Sequence, residues 1–298
     1  MVSSECTLCP RECKVNRDIV PGYCGCNNNV RVARAALHFW EEPCISGENG
    51  SGTVFFSGCN LKCCYCQNYD ISHERFGKDI SLKRLGEIFL ELQDLGANNI
   101  NLVTPTHYID KIIRVLDNIK ERLYIPIVYN CGGYEKTDII YSLKDYVDIF
   151  IHDIKYCDDA RAIKYSAAPD YFKKATDSVK AMIDMLGNPV MVNNIMKKGV
   201  IIRHLVLPSG KEDSINILEW LNNNLDKDSY ILSLMSQYTP CFKCEEHPEI
   251  NRRLTTYEYD KVLEYAISLG LTNGYMQERS SAKKEYTPPF DLTGVDTI

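Results

Sequence analysis

The chain has 298 residues and a formal net charge of −6, and 45% of its residues are hydrophobic and 25% charged. This composition is typical of a soluble globular protein, and the length suffices for one barrel-sized domain with a small extension. The acidic balance argues against a nucleic-acid-binding protein, and no apolar run is long enough to cross a membrane.

The cysteine content is the most unusual feature of the composition, with 14 cysteines in the chain. The first residues show no basic region followed by an apolar one, so no secretory signal is predicted. We therefore expect a cytoplasmic protein whose cysteines bind metals or stay free, because a reducing compartment disfavours disulfides. A disulfide-bonded scaffold is the alternative that this argument disfavours.

Residues 1–45 form a cysteine-rich, turn-rich lead. Cys6, Cys9, Cys13 and Cys24 supply four thiols between proline and glycine turns, and Cys26 is a fifth. Four nearby thiolates suit tetrahedral zinc, rubredoxin-like iron or an auxiliary iron–sulfur cluster. We expect the first four to bind a metal of one of these kinds, with Cys26 left over; free thiols on an unstructured lead are the alternative.

A second group of cysteines follows the apolar run at 53–56. Cys59, Cys63 and Cys66 have the spacing C-x3-C-x2-C. Three thiolates without a fourth at matching spacing can hold a [4Fe–4S] cluster by three irons, which leaves the fourth iron open to a small molecule. Structural zinc is the alternative, but it favours two C-x2–4-C pairs, and Cys64 follows Cys63 directly and should point elsewhere.

From residue 46 to 298, short β-branched or aromatic runs alternate with amphipathic stretches, which predicts strands joined by helical crossovers in a parallel sheet. We expect an α/β fold, a TIM-type barrel with a C-terminal extension. The predicted strands lie near 52–58, 99–104, 126–131, 147–154, 199–206 and 229–235. The predicted helices lie near 82–95, 108–120, 134–144, 169–186, 212–225 and 255–269.

Polar residues recur where these strands end, at 104–107, 130–134, 152–156, 203–208 and 236–238. The loops that follow parallel strands open on one face of a barrel, so these residues predict a single active site together with the cysteine loop. His107 and His204 lie in these loops, but a lone histidine is often a hydrogen-bonded wall residue. Cys241 and Cys244 form a separate C-x2-C pair to which the sequence assigns no role.

The loop Cys59–Cys66 reads C-x3-C-x-aromatic-C, with Tyr65 at the aromatic position, and it resembles the signature of the radical S-adenosylmethionine (radical SAM) superfamily. The resemblance implies a partial (βα)6 barrel in which the open iron binds S-adenosylmethionine. In that family, one electron from the cluster breaks a C–S bond, and the 5′-deoxyadenosyl radical then abstracts a hydrogen atom.

Further segments resemble the pyruvate formate-lyase activating enzymes, among them Asp153-x-Lys155 and Asn101–His107. One departure matters, because Thr104-Pro105-Thr106 stands where relatives carry a Gly-Gly-Glu-Pro segment that recognises the methionine amino group. The resemblance implies a set of S-adenosylmethionine contacts, although an exposed ion pair remains open for the Asp-x-Lys element. The set is Tyr65, Thr104, Thr106, Asn130, Asp153, Lys155 and His204.

Two functions are consistent with the sequence. The first is a radical SAM enzyme that acts on a protein or peptide, like the activases of glycyl-radical enzymes, or else on a small molecule. It would need a reductant such as flavodoxin or ferredoxin. The second is a non-catalytic iron–sulfur electron carrier, which has no use for an open iron. No side chain is assigned a catalytic role.

Overall fold

The computed structural model describes residues 5–276 and 287–296. Its strands alternate with helices through most of the chain, as predicted. The strands are β1 (Val30–His38), β2 (Ser51–Phe56), β3 (Lys78–Ile80), β4 (Ile100–Val103), β5 (Ile127–Cys131), β6 (Ile149–Asp153), β7 (Val190–Val192), β8 (Ile195–Leu205), β9 (Ile231–Met235) and β10 (Gly274–Met276). The helices are α1 (Pro43–Ser46), α2 (Tyr69–Ser72), α3 (Leu82–Asp94), α4 (Ile109–Ile119), α5 (Thr137–Tyr141), α6 (Asp159–Ser166), α7 (Tyr171–Leu186), α8 (Lys211–Asn224) and α9 (Thr256–Ser268).

The sheet runs in the order β10-β9-β8-β6-β5-β4-β2-β1-β3. From β2 through β10 every neighbouring pair on this path is parallel, whereas β1 pairs antiparallel with β2 and β3. All six predicted strands are therefore confirmed as neighbours in one parallel sheet, and β10 adds a seventh. In the described residues the two edge strands, β10 and β3, do not pair, which fits an open, partial barrel.

The interior of the barrel is closed at one end by α1. Its Cys44 and Ile45 are fully buried and pack with apolar residues from β5, β6, β8 and β9. Two asparagine side chains fix this short helix, since Asn98 donates to the Ser46 carbonyl (2.6 Å) and Asn99 to the Ile45 carbonyl (2.8 Å). The barrel thus has an apolar floor below the strand ends.

The sequence prediction missed β1, which lies within the predicted lead. Its alternate residues Val30 and Val32 are buried, and the strand pairs with β2 along most of its length. The sheet therefore begins at residue 30, and only residues 5–29 form a separate segment of turns. Across the described residues, no helix has both the length and the apolar character needed to span a membrane.

The predicted helix at 134–144 is wrong in its extent, because only α5 at 137–141 is helical. Gly133 has a φ of 87°, and Lys136 is still extended at the helix cap. Between them, the Glu135 carboxylate turns inward and accepts hydrogen bonds from Thr106 (2.8 Å) and Tyr129 (3.0 Å). Because of these contacts, the helix begins at Thr137, about one turn later than predicted.

We expect Gly133→Ala to lower the free energy of unfolding by more than the cost of placing an alanine in a left-handed backbone conformation. A Cβ at this position would lie 2.1 Å from the Asp153 carbonyl oxygen, which is far inside contact distance. Gly96 is a matched control because its φ is 85° and a Cβ there meets nothing within 4 Å. Urea unfolding should show a loss of about 1 kcal/mol for Gly96→Ala and clearly more for Gly133→Ala. Equal losses would contradict the proposed clash.

Candidate active site

The cysteine loop lies between β2 and α2, at the carboxyl end of the first parallel strand. Gly58 opens it with a φ of 86°, and a Cβ there would lie 2.3 Å from Cys26 Sγ. The Gly58 amide donates to the Ile71 carbonyl (2.8 Å), which closes the loop at its base. Only glycine fits this position, so the local sequence sets the path of the loop.

Each of the three predicted cluster ligands accepts a hydrogen bond or lies within reach of one. The Leu61 amide donates to Cys59 Sγ (3.3 Å), Ser166 Oγ donates to Cys63 Sγ (2.9 Å), and Ser72 Oγ lies 3.2 Å from Cys66 Sγ. Donors of this kind stabilise thiolate ligands of a metal centre.

The three sulfurs also act on one another electrostatically. Burial raises the pKa of Cys59 to about 12, and the charges of Cys63 and Cys66 add to the increase. Burial likewise raises the pKa of Cys66 to about 11, with Cys63 next in effect. Three apposed, buried thiols suit a cationic metal centre, which stabilises their thiolate forms.

In residues 5–276 and 287–296, no three His, Cys, Asp or Glu side chains are placed to hold a single metal ion. A [4Fe–4S] cluster makes a different demand, because each cysteine thiolate binds a different iron. Three cysteine thiolates are a donor set that such a cluster can use.

A cavity of about 240 Å³ lies beside the cysteine loop, and Cys63 and Cys66 form part of its wall. Across it stand Asp153, Lys155 and Arg203. Lys155 Nζ lies 2.6 Å from one Asp153 oxygen, and Arg203 Nε lies 2.8 Å from the other. The structure thus brings both residues of the Asp-x-Lys element to the cysteines, with less than a fifth of either side chain exposed.

The charges of this group are strongly coupled. Burial opposes ionisation of Asp153, but Arg203 and then Lys155 outweigh it and hold the pKa of the carboxyl well below its usual range. Burial lowers the pKa of Lys155, but the charges of Asp153 and then Cys63 outweigh burial and raise that pKa above its usual value. All three groups are therefore charged at neutral pH.

Arg203 lies in the predicted strand-end segment 203–208, but the sequence named its neighbour His204 as the cofactor contact and gave Arg203 no role. Besides Asp153, its guanidinium donates to Asn130 Oδ1 (2.8 Å) and lies 3.3 Å from a Glu41 oxygen. Asp153, Arg203 and Ser233 occupy matching positions on β6, β8 and β9, so their side chains share one face of the sheet. The register of the sheet would have identified Arg203, but a sequence alone does not give that register.

A second cavity, of about 760 Å³, adjoins the first. Glu41, Glu42, Asn130 and Ser233 are among the residues that line it, and Phe39, Trp40 and Tyr275 add aromatic surface. We call the two together the barrel chamber, because their walls have several residues in common. The shared residues are Gln67, Asn68, Arg203, Met235 and Gln237.

Two predicted cofactor contacts do not fit this structure. His204 is buried, donates from Nδ1 to the Ile154 carbonyl (2.7 Å) and accepts from Ser214 Oγ (2.8 Å). It follows Arg203 by one residue and therefore points to the other face of the sheet. Thr106 is also buried, and its hydroxyl donates to Glu135 rather than facing the chamber.

The remaining predicted contacts differ in their placement. Tyr65 lines the smaller cavity, but its hydroxyl lies 2.5 Å from that of Tyr156. Thr104 has a left-handed backbone (φ 57°) and lines neither cavity. His107 is a buried wall residue whose Nε2 donates to the Ser57 carbonyl (2.8 Å).

The lead packs against the outside of the cysteine loop. Arg11 donates to the Asn60 carbonyl (2.8 Å), and Arg17 donates to the carbonyls of His107 and Asn27. Cys26 Sγ lies 3.1 Å from the Ser57 carbonyl, so this fifth cysteine turns towards the barrel.

The other lead cysteines face one another. A Cβ on Gly22 would lie 3.5 Å from Cys24 Sγ and 3.6 Å from Cys13 Sγ. Burial raises the pKa of Cys9 to about 12, and the charges of Cys13 and Cys24 contribute to the same direction. Cys6 is half-buried near Arg17. These thiols are the candidate ligands of the predicted second metal site.

The C-x2-C pair lies on the opposite side of the cysteine loop. The Lys243 amide donates to the Cys64 carbonyl (2.9 Å), and Cys241 Sγ donates to the Tyr65 carbonyl (3.3 Å). The charge of Cys244 acts on Cys64. As predicted from adjacency, Cys64 therefore points away from the chamber, towards this pair.

The comparisons with known proteins agree with this architecture. The family model of the radical SAM superfamily matches residues 53–204, about half of the chain. An uncharacterized protein of Methanocaldococcus jannaschii is 32% identical over 275 residues, which cover 89% of this chain and 75% of that protein. The pyruvate formate-lyase-activating enzyme of Clostridium pasteurianum is 24% identical over 191 residues, 60% of this chain and 71% of that enzyme.

Among solved structures, Streptococcus suis SuiB bound to S-adenosylmethionine superposes with a TM-score of 0.50 at 14% identity. The match covers 78% of this chain but only 51% of SuiB, so the chain spans about half the length of that structure. At this identity the likeness is one of fold. The family match goes further: the chain belongs to the radical SAM superfamily, whose enzymes use a [4Fe–4S] cluster and S-adenosylmethionine.

Proposed function

We propose that Cys59, Cys63 and Cys66 hold the [4Fe–4S] cluster, and that the barrel chamber beside them receives S-adenosylmethionine. The observation that carries this proposal is the shared wall: Cys63 and Cys66 line the same cavity as Asp153, Lys155 and Arg203. Asn130 joins them through Arg203. Opposite charges fixed in the wall of this cavity suit a cofactor that itself carries both a carboxylate and cationic groups.

When bound, the cluster supplies the electron that cleaves S-adenosylmethionine to the 5′-deoxyadenosyl radical, the step to which the superfamily owes its name. The protein itself positions charged and polar groups around the cysteine sulfurs. Lys155 places a positive charge near Cys63 and Cys66, and Ser166 donates to Cys63 Sγ. The hydroxyls of Tyr156 and Ser166, 2.7 Å apart, extend this network to Tyr65.

For the substrate, we propose a protein or peptide, from which the radical takes a hydrogen atom in the manner of glycyl-radical-enzyme activases. The likeness to the Clostridium activating enzyme supports this version. A second candidate is a small molecule, favoured by the size of the larger cavity, which lies in the range of small-ligand sites. Either reaction needs a one-electron donor such as flavodoxin or ferredoxin.

Spectroscopy of anaerobically reconstituted protein tests the core of the proposal. Adding S-adenosylmethionine should change the EPR signal of the reduced cluster, because the cofactor binds the open iron. An unchanged signal would favour an electron carrier. Stimulation of 5′-deoxyadenosine formation by the macromolecular or the small-molecule fraction of a cell extract separates the two substrate classes.

We expect Cys59→Ala, Cys63→Ala and Cys66→Ala each to abolish S-adenosylmethionine cleavage and to lower the iron content. Cys64→Ala is the matched control, because its thiol faces Cys244 and should leave the cluster in place. Iron analysis and 5′-deoxyadenosine formation measure the two effects. A Cys63→Ala protein with full iron loading would refute the assignment.

Removing the charge of Lys155 or Asp153 should weaken cofactor binding without removing the cluster. Losing one charge-assisted hydrogen bond costs about 1.5–3 kcal/mol, which is roughly ten- to a hundred-fold in affinity. Titration of S-adenosylmethionine into reduced Asp153→Asn and Lys155→Met proteins measures the change. Lys173→Met, which breaks an exposed pair with Asp177, is the control and should bind as wild type. Unchanged affinity in both chamber variants would assign the cofactor to other residues.

We propose that Cys6, Cys9, Cys13 and Cys24 hold a structural metal, either zinc or an auxiliary iron–sulfur cluster. Substituting Cys9 and Cys13 with serine should remove one metal and lower the thermal stability, because metal binding in such a segment is folding free energy. The cluster of the Cys59–Cys66 loop should persist. Metal analysis distinguishes the sites, and loss of all iron in the double variant would show that they are not independent.

A further inference from the structure

Glu41 and Glu42 reach the barrel chamber from the segment that leads into α1. The Ser46 hydroxyl accepts from the Glu41 amide (3.1 Å) and donates to the His38 carbonyl (3.2 Å). Pro43 begins α1 directly after the two acids, and the asparagine contacts described above hold its end. The backbone of the acid pair is thus fixed before any ligand arrives.

The carboxylates are buried and incompletely balanced. Their side chains are 11% and 6% exposed, and within residues 5–276 and 287–296 the cation that pairs with them is Arg203, at 3.3 Å from Glu41 and 4.0 Å from Glu42. Arg203 is closer to Asp153, which also pairs with Lys155. Among the residues that the structure describes, three carboxylates of the chamber therefore share two cations.

No other described group of the chamber wall supplies the missing positive charge. His38 lines the cavity, but burial and then Arg34 lower its pKa to about 4, so its ring is neutral at pH 7. Burial likewise raises the pKa of both glutamates, although Arg203 opposes the increase. Keeping these acids ionised costs free energy that a further cation would offset.

A second observation points to a ligand at the same place. Ser233 is 1% exposed and lines the larger cavity, yet its hydroxyl makes no hydrogen bond of normal geometry. It lies next to Glu42, whose pKa it lowers. Asn101 is buried beside Glu41, whose pKa it lowers, yet neither its amide nitrogen nor its oxygen makes a hydrogen bond of normal geometry. Buried polar groups of this kind are rare in native proteins unless a ligand or water completes them.

We propose that the acid pair is a subsite for a positively charged nitrogen of the substrate, a primary amine or a guanidinium. The substrate role rests on the proposed function, whereas the binding itself does not. Glu41 and Glu42 line only the larger cavity and not the one beside the cysteines. The cation is therefore held at the end of the chamber away from Cys63 and Cys66, and the rest of the substrate extends towards them.

The test uses the reconstituted enzyme with S-adenosylmethionine and no electron donor. Trp40 lines the chamber and serves as the fluorescent reporter once Trp220, the other tryptophan, is replaced by phenylalanine. The probes are L-arginine with its neutral counterpart L-citrulline, and L-lysine with L-norleucine. The charged probe of at least one pair should bind about ten-fold tighter or more than its neutral counterpart. Equal affinities within both pairs would overturn the proposal in the unaltered chamber, whatever the variants do.

Glu42→Gln should abolish the preference for the charged probe. Glu48→Gln is the matched control, because it removes an exposed carboxylate from the same segment and should keep the preference. Ser233→Val, which keeps every charge, should weaken the binding of the charged probe. A preference for the charged probe that survives in Glu42→Gln would overturn the proposal. So would a result in which Glu42→Gln and Ser233→Val change the affinity for S-adenosylmethionine but not the affinity for the charged probe.

Two further measurements distinguish a cation of a small molecule from a cation on a protein side chain. Free lysine binding tighter than a blocked glycine–lysine–glycine peptide indicates a small-molecule substrate, and the reverse order indicates a protein side chain. Both support the subsite. Because the assay needs no turnover, failure to cleave S-adenosylmethionine would count against the proposed function and leave the probe result intact.

Discussion

The chamber depends on one buried guanidinium. Arg203 is contacted by groups from β5, from β6 and from the segment before α1, so its charge fixes three parts of the chain relative to β8. Removing one partner from a buried charged network is costly because it leaves an uncompensated charge. The network therefore holds the site in shape, and it does so with charged groups that remain accessible from the chamber. An apolar contact in the same position would give shape without any means of orienting a polar ligand.

The lead and the C-x2-C pair clamp the cysteine loop from two sides. On one side, Cys26 lies so close to Gly58 that no side chain fits between them, and Arg11 holds the Asn60 carbonyl. On the other, the backbone at Lys243 holds the Cys64 carbonyl. If the loop holds the proposed cluster, it gains from such support, since ligand geometry is set by the groups behind the ligands. These contacts of the lead support the loop directly and do not depend on a metal in the lead.

The sequence predicted the parallel sheet well, because the periodicity of apolar residues is a local property of the sequence. It failed where side-chain direction decided the outcome. Asp153 and Lys155 line the cavity beside the cysteine loop, whereas His204 belongs to the other face of the sheet by a single residue. Glu41 and Glu42 were beyond reach for another reason: they precede the first predicted strand, and only the insertion of α1 into the barrel brings them to the chamber. The register of the strands and the packing of α1 into the barrel depend on tertiary contacts, which a local sequence pattern does not specify.

The arrangement of charge along the chamber has a direction. Lys155 stands at the cysteine end, Arg203 lies in the middle, and the acid pair lies at the far end above the apolar floor formed with α1. Within the protein, such fixed charges act more strongly than they do in bulk water. In the proposed arrangement, a ligand that carries its own charge has one favourable orientation, with its uncharged part turned towards the cysteine loop. Radical chemistry needs that control, because a hydrogen atom is taken from whichever bond lies nearest, and orientation is what the protein itself contributes.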